Sequence, residues 1–419
     1  MGASDEQKPL ARAAEGPGLG ALALLVASAG GVYWLCPIPV SLAIITQEKV
    51  DLTPNGFDKE TVSKSQTLFW IGWAAASVLV MPMADNFGRK PLYFGLLAVG
   101  LLATFLCTRA YSASLYGATM FAIGGTFPPA GVVGYLLLQE SIPIGLWSTS
   151  TVALNVLYSS LSILVAVTSG TVTRDLSWRK EALLWHIPFL IILIVGPLLV
   201  SESPQFRQGA AAVNDSDAAE EKKEPWRQLW CNSQLRGRLL ATIVCWAACT
   251  VGFYGLSYAS GSLSDSLYIN LALLAVVDLV SYGLAGVVIQ MFGAKTTQII
   301  SFVSAMAVLV LCACLSSGPW RVVCAMCGRF NLNVGFTTIY LLLMDCFPAG
   351  CRGTAMGTAN AVARLSGLVT PLFAIMQLGS VCLLMSSLCL FAALATWTLP
   401  EPERAEPRWT PPCCGEREL

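Results

Sequence analysis

The octapeptide MADNFGRK at residues 83–90 returns about 205 residues later as VIQMFGAK at residues 288–295. Each copy closes one apolar run and opens another, sets a Phe before a Gly, and places a Lys two positions after that Gly. A glycine between two helical runs permits a tight turn. Further landmarks repeat in the same order. Glu140 in LQESIP and Asp345 in MDCFPAGCR stand at the same displacement, and Glu202 in SESP is echoed by Glu401 in LPEPE. Three landmarks repeating in order predict two similar halves.

Composition says what those halves are made of. Of 419 residues, 55% are hydrophobic and only 12% are charged, which marks an integral membrane protein. A helix needs roughly 20 mostly apolar residues to cross the hydrocarbon. Such runs fall at 18–45, 67–84, 91–108, 114–139, 146–169, 183–200, 238–259, 267–291, 297–317, 320–343, 354–377 and 379–399. The predicted organisation is a cytoplasmic N-terminus (1–17), a six-helix bundle (18–200), a polar cytoplasmic linker (201–237), a second six-helix bundle (238–400) and a cytoplasmic tail (401–419). The first apolar run lacks the cleavage site of a signal peptide and is expected to be retained. Arg89, Lys90, Lys222, Lys223, Arg236, Lys295 and Arg352 then share a side with both termini, and this excess of basic residues places that side in the cytoplasm. Asn214, in an Asn-Asp-Ser sequon, falls there and is expected to carry no glycan. A net charge of zero without basic tracts excludes nucleic acid as a partner. None of the fifteen cysteines falls in a predicted outer loop, so no disulfide framework is implied.

The loop ADNFGRK resembles the signature loop of the major facilitator superfamily. Within it, SESP, VGFYGLSYASGSL, YINLALLAVVDLVSY, CGRFNLNVGFTTIYLLLMDCFPAGCRGTAMG and ARLSGLVTPLF resemble the organic cation, anion and zwitterion (carnitine) transporter family, in order from about residue 67 to 401. The resemblance implies an all-α membrane protein with twelve transmembrane helices in two pseudo-symmetric six-helix bundles. It further implies alternating access to a central site, with a small organic ion as substrate and either a proton, a sodium ion or an exchanged anion as coupling partner. The chain departs from that pattern in places. About twenty residues (46–65) replace the large extracellular loop, Trp147 and Gln205 stand where the family has Arg, and Gln290 replaces an acid.

Three charges lie well inside predicted spans: Asp278, Arg329 and Arg364. A charge at the bilayer centre costs roughly 2.5–3.5 kcal/mol, so it is paired, wet or functional. Arg364 shares a helical face with Asn360, Gly367 and Pro371. Its fork of donors suits a carboxylate or sulfate, and the resemblance points it at the central cavity; the alternative is a structural ion pair. Asp278, with Tyr282 one turn on, is the expected counter-charge, either to a cationic substrate group or to Arg364 itself. Arg329 is expected either to hold helix ends together or to line the cavity. Phe253, Tyr254 and Tyr258, around Ser257 on helix 7, offer aromatic faces for a quaternary ammonium. Tyr33 and Trp34 are weaker candidates, since aromatics in spans more often pack or anchor.

On the cytoplasmic side, Asp85, Gly88 and Arg89 resemble the superfamily's gate, and Glu140, Glu202, Asp345 and Arg352 resemble its charged latch. Solvated loop ends would have the same composition. Cys324 and Cys327 form a CxxC inside an apolar helix without neighbouring His, a poor metal or redox motif. The single histidine, His186, reads as packing, and Cys413 and Cys414 are candidates for palmitoylation. No catalytic motif, cofactor loop or metal site is expected. The sequence therefore predicts a secondary transporter of a carnitine-like zwitterion or an organic anion, in the plasma membrane or an intracellular one. The competing expectation is a transport-dead relative that acts as receptor, sensor or scaffold.

Overall fold

The computed structural model describes residues 58–142, 147–203, 229–263, 265–316, 318–347 and 349–400. The first predicted span lies outside the described residues, as do Tyr33, Trp34, Gln205, Asn214, Cys413 and Cys414. Helices α1 (Lys59–Phe87), α2 (Arg89–Thr108), α3 (Ala113–Gly124), α4 (Phe127–Ser141), α5 (Trp147–Gly170) and α6 (Trp178–Leu199) are followed by α7 (Ser233–Tyr258), α8 (Leu267–Phe292), α9 (Ala294–Cys314), α10 (Pro319–Cys346), α11 (Ala349–Ser366) and α12 (Leu378–Thr398). No strand occurs among the described residues. Every predicted span from 67–84 onward falls on a helix. Seven spans among the described residues are long and apolar enough to cross a membrane. Large apolar side chains such as Leu198 (83% exposed) and Trp397 (73%) face outward, while Gln66, Asn270 and Asn333 are buried. That inverted distribution suits a hydrocarbon surround.

Local chemistry sets the helix ends. Asp58, Ser112, Asn232 and Ser266 accept from backbone N–H groups of the turns they precede. Gly88 and Gly293 join α1 to α2 and α8 to α9 with nearly the same backbone, φ 98° and 79°, ψ 157° and 159°. This is a left-handed region that glycine alone enters cheaply. The lysine two positions on repeats too: Lys90 Nζ donates to Pro197 O at 2.9 Å, and Lys295 Nζ to Leu399 O at 2.6 Å. The sequence repeat is thus also a repeat of contacts.

Two predicted spans are interrupted. The span expected at 114–139 divides into α3 and α4, because Pro128 and Pro129 supply no N–H; Thr126 Oγ1 donates to Ala122 O at 2.8 Å across the break. The span expected at 354–377 leaves α-geometry after Ser366 and continues as a 3₁₀ segment, Gly367–Ala374, containing Pro371. Hydroxyl groups take up the carbonyls so released. Thr370 Oγ1 donates to Gly367 O at 2.7 Å, Ser63 Oγ of α1 to Pro371 O at 2.5 Å, and Thr67 Oγ1 to Leu368 O at 3.5 Å. Helix α1 is thereby joined to α11, and α5 packs along α8.

Among the described glycines, those with the closest facing backbone join α1 and α3. A Cβ on Gly124 would stand 1.9 Å from Phe69 O, and one on Gly72 2.1 Å from Phe121 O, so each glycine admits the other helix's backbone. Gly124→Ala is expected to lower the thermal midpoint in detergent, by the 1–3 kcal/mol or so that overpacking costs. Gly95→Ala, with nothing within 4 Å of its added carbon, should leave that midpoint unchanged.

Candidate functional site

In the second half, Arg329 and Asn333 of α10 converge on the buried Asp278. Arg329 of α10 donates from Nε to Asp278 Oδ1 at 2.7 Å and from Nη2 to Oδ2 at 2.8 Å, the two-pronged geometry that only a guanidinium offers a carboxylate. Asn333, one turn along α10, donates from Nδ2 to the same Oδ1 at 2.6 Å and to Ser281 Oγ at 2.9 Å. The remaining Arg329 nitrogen, Nη1, reaches the Phe253 carbonyl and Ser257 Oγ of α7. The guanidinium carbon lies 3.4 Å from the centre of the Phe253 ring. Arg329 and Asp278 are 2% and 3% exposed, so this is a fully buried pair with its hydrogen-bonding capacity in use. The sequence suggested Arg364 as the partner of Asp278. The structure gives it Arg329 instead, because α10 packs beside α8.

Arg364, near the end of α11, is also buried at 4% exposure. Its Nε donates to Asn360 Oδ1 at 3.0 Å, one turn back on the same helix. Its guanidinium carbon lies 4.0 Å from the centre of the Trp73 ring of α1, a cation–π contact. Nη1 has no hydrogen-bond partner among the described residues. A buried N–H of a charged group left unmade is costly, so the atom marks a place for an acceptor.

Between the two arginines runs a ladder of rings. Trp73 stacks on Trp70 at 5.2 Å and 17°, Trp70 meets Tyr254 edge-on at 4.6 Å, and Tyr254 meets Phe253 at 5.0 Å. Phe336 of α10 continues from Phe253 at 6.0 Å. The sequence reading identified Phe253 and Tyr254 but missed Trp70, Trp73 and Phe336. The available signal was the i, i+3 pair of tryptophans in TLFWIGW, which a helix sets on one face. Gly367 makes the approach of α1 feasible, since a Cβ there would lie 2.5 Å from a Trp70 ring carbon. Tyr258 is buried at the last turn of α7, and Tyr282 is partly buried one turn beyond Asp278. The Tyr258 side chain lies beside Trp70 of the ladder, and among the described residues neither tyrosine is in contact with Arg364.

At the other end of the first half, Gly88 starts α2 and exposes its first N–H groups. Glu202 accepts from the Arg89 N–H at 3.1 Å and from the Lys90 N–H at 3.1 Å, so one carboxylate caps the helix across 113 residues of chain. The Arg89 side chain pairs with Glu140, Nε to Oε2 at 3.2 Å, and Ser203 Oγ donates to the same carboxylate. Among the predicted gate residues, Gly88, Arg89, Glu140 and Glu202 are therefore brought together. Asp85, Asp345 and Arg352 lie on α1, α10 and α11, and their side chains are outside the described set, as are those of Trp147 and Gln290.

With this geometry in view, comparison with known proteins is informative. The family described as Major Facilitator Superfamily matches residues 22–371. Solute carrier family 22 member 15 of Xenopus tropicalis is 24% identical over 344 residues, covering 74% of this chain and 64% of its own. Organic cation/carnitine transporter 2 of Mus musculus is 24% identical over 375 residues, covering 80% of this chain and 66% of its own. The chain thus spans about two thirds of the length of these relatives. The inward-open xylose transporter XylE of E. coli superposes with a TM-score of 0.69 over 91% of this chain and 97% of its own, at 15% identity, a similarity of fold.

Breaking a buried ion pair by removing one partner costs about 3–5 kcal/mol. Asp278→Asn and Arg329→Gln are therefore expected to lower the thermal midpoint in detergent sharply. Arg364→Gln, which gives up a stack and one hydrogen bond, should lower it much less. Equal losses in a fluorescence-monitored melt would contradict the assignment of the pair to Arg329.

Proposed function

Because the chain belongs to the Major Facilitator Superfamily, we propose that this multi-pass membrane protein carries a small organic ion bearing an acidic group, held by Arg364. The superfamily is one of transporters rather than enzymes, and its relatives include organic ion carriers. The observation that carries the substrate reading is Arg364 Nη1, buried over an aromatic ring with no acceptor among the described residues. An incoming carboxylate or sulfate supplies that acceptor.

Charge balance refines the substrate class. Asp278 is engaged on both oxygens, so it offers no free counter-charge to a cationic group. The three mid-span charges, two arginines and one aspartate, leave one net positive, and the first predicted span contains no charged residue. An organic anion is favoured on this balance. A carnitine-like zwitterion is the second reading, favoured by the faces of Trp73 and Tyr254 and by the name of the mouse relative. The two halves rock about the site, with a proton, sodium ion or exchanged anion as coupling partner and the plasma membrane as the membrane.

Uptake of labelled organic sulfate, dicarboxylate and carnitine into cells expressing the chain tests this. A lost hydrogen bond to a charged group is worth about 1.5–3 kcal/mol, so Arg364→Ala should lower uptake efficiency roughly ten- to a hundredfold. Sulfate or dicarboxylate uptake that needs Arg364 supports the anion, and carnitine uptake that needs it supports the zwitterion. Saturable binding without uptake by correctly inserted protein points to a receptor, and uptake indifferent to Arg364 overturns the site.

A further inference from the structure

We propose that Cys312 and Cys382 are an oxidisable thiol pair that closes to a disulfide and staples α9 to α12. This stands apart from the substrate reading. The two sulfurs are in contact at 3.7 Å, with the Cys382 S–H directed at the Cys312 sulfur and the Cys312 S–H directed at the Arg321 carbonyl at 3.6 Å. Cys245 instead contacts the Ala392 carbonyl and the Thr396 hydroxyl, and Cys324 also lies near Cys312. Cys324 is buried and Cys314 and Cys327 are exposed.

The helices hold the pair in place. α9 and α12 pack along their lengths, so the sulfurs meet because two rigid elements bring them together. A disulfide needs the sulfurs at about 2.05 Å, so they have roughly 1.7 Å to travel. Cys312 lies two residues before the end of α9 at Cys314, and Cys382 four residues after the start of α12 at Leu378. Both are therefore about one turn from the same end of the bundle, opposite the Lys295–Leu399 contact. The basic-residue bias puts that end outside the cytoplasm, where thiols are not kept reduced.

Both sulfurs are fully buried, so the oxidant has to be small. Hydrogen peroxide, little larger than water, meets that requirement. The Cys312 sulfur attacks one peroxide oxygen, the O–O bond breaks, and the departing hydroxide takes the thiol proton and leaves as water, giving the sulfenic acid. The Cys382 sulfur then attacks the Cys312 sulfur, the S–O bond breaks, and a second hydroxide leaves as water with the Cys382 proton. Two thiols have given up two electrons, and one peroxide has become two waters. A following disulfide–thiol exchange with a reductant restores both thiols.

The test uses the full chain in detergent or native membranes, treated with hydrogen peroxide, quenched, denatured, alkylated with N-ethylmaleimide and digested for mass spectrometry. The expected result is that the alkylated peptides of Cys312 and Cys382 disappear together, a peptide joining them appears, and dithiothreitol returns both. Exposed Cys327 reports how far peroxide acts on an ordinary thiol in the same sample. Cys312→Ser and Cys382→Ser should each abolish the joined peptide, and the wild-type digest decides the matter even where a variant folds poorly. The proposal is overturned if either cysteine stays alkylatable while Cys327 is oxidised. It is equally overturned if Cys312 joins Cys324 in place of Cys382, or if both end as sulfinic or sulfonic acids without a joined peptide.

Discussion

The second half is organised around one buried fork, Arg329 on Asp278. Bringing a guanidinium and a carboxylate into an apolar interior costs several kcal/mol per ion, recovered only when the geometry is good and the remaining donors and acceptors are used. Here they are. The carboxylate takes two bonds from Arg329 and a third from Asn333, and the last arginine nitrogen goes to α7 at Phe253 and Ser257. These contacts fix the rotation of α7, α8 and α10 about their own axes. Once α7 is fixed, Tyr254 must face the tryptophans of α1, and through them the aromatic ladder reaches Arg364. The position of Arg364 thus depends on the pairing of Arg329.

The fold was legible because its strongest signals are local and repeated. Two Phe–Gly–x–Lys loops, both with glycines at positive φ, both sending lysine to a helix-end carbonyl, can be recognised from eight residues apiece. The three intramembrane charges were equally visible, since apolar runs make any charge conspicuous. Their pairing was not. Asp278 and Arg329 are 51 residues apart, and whether Arg329 or Arg364 answers the aspartate depends on how three helices rotate and pack, which no single run encodes. Trp70 and Trp73 went unnoticed because aromatic residues in a span usually pack or anchor, and only the seating of Arg364 over a ring gives these two a different role. The division of the fourth span was written in Pro128 and Pro129, but an apolar window averages over prolines.

The repeat is also imperfect in an informative way. In the first half, Arg89 and Lys90 follow the glycine, and Glu140, Glu202 and Ser203 close around them. In the second, Ala294 takes the place of Arg89, and only the lysine contact is reproduced among the described residues. The two loops have therefore come to differ at this one charge while keeping one backbone turn.

The seam between α1 and the 3₁₀ segment after α11 has a consequence of its own. It is made of a serine and a threonine hydroxyl on backbone carbonyls that Pro371 and the change of helix type left without their usual donors. Each such bond contributes only about 1 kcal/mol net, and neither partner titrates or carries charge. Acidity and ionic strength therefore leave these two bonds unchanged, although the neighbouring turn of the same helix pair seats Arg364 over Trp73. A response of this seam to ionic strength therefore comes through Arg364 rather than through the hydroxyl bonds.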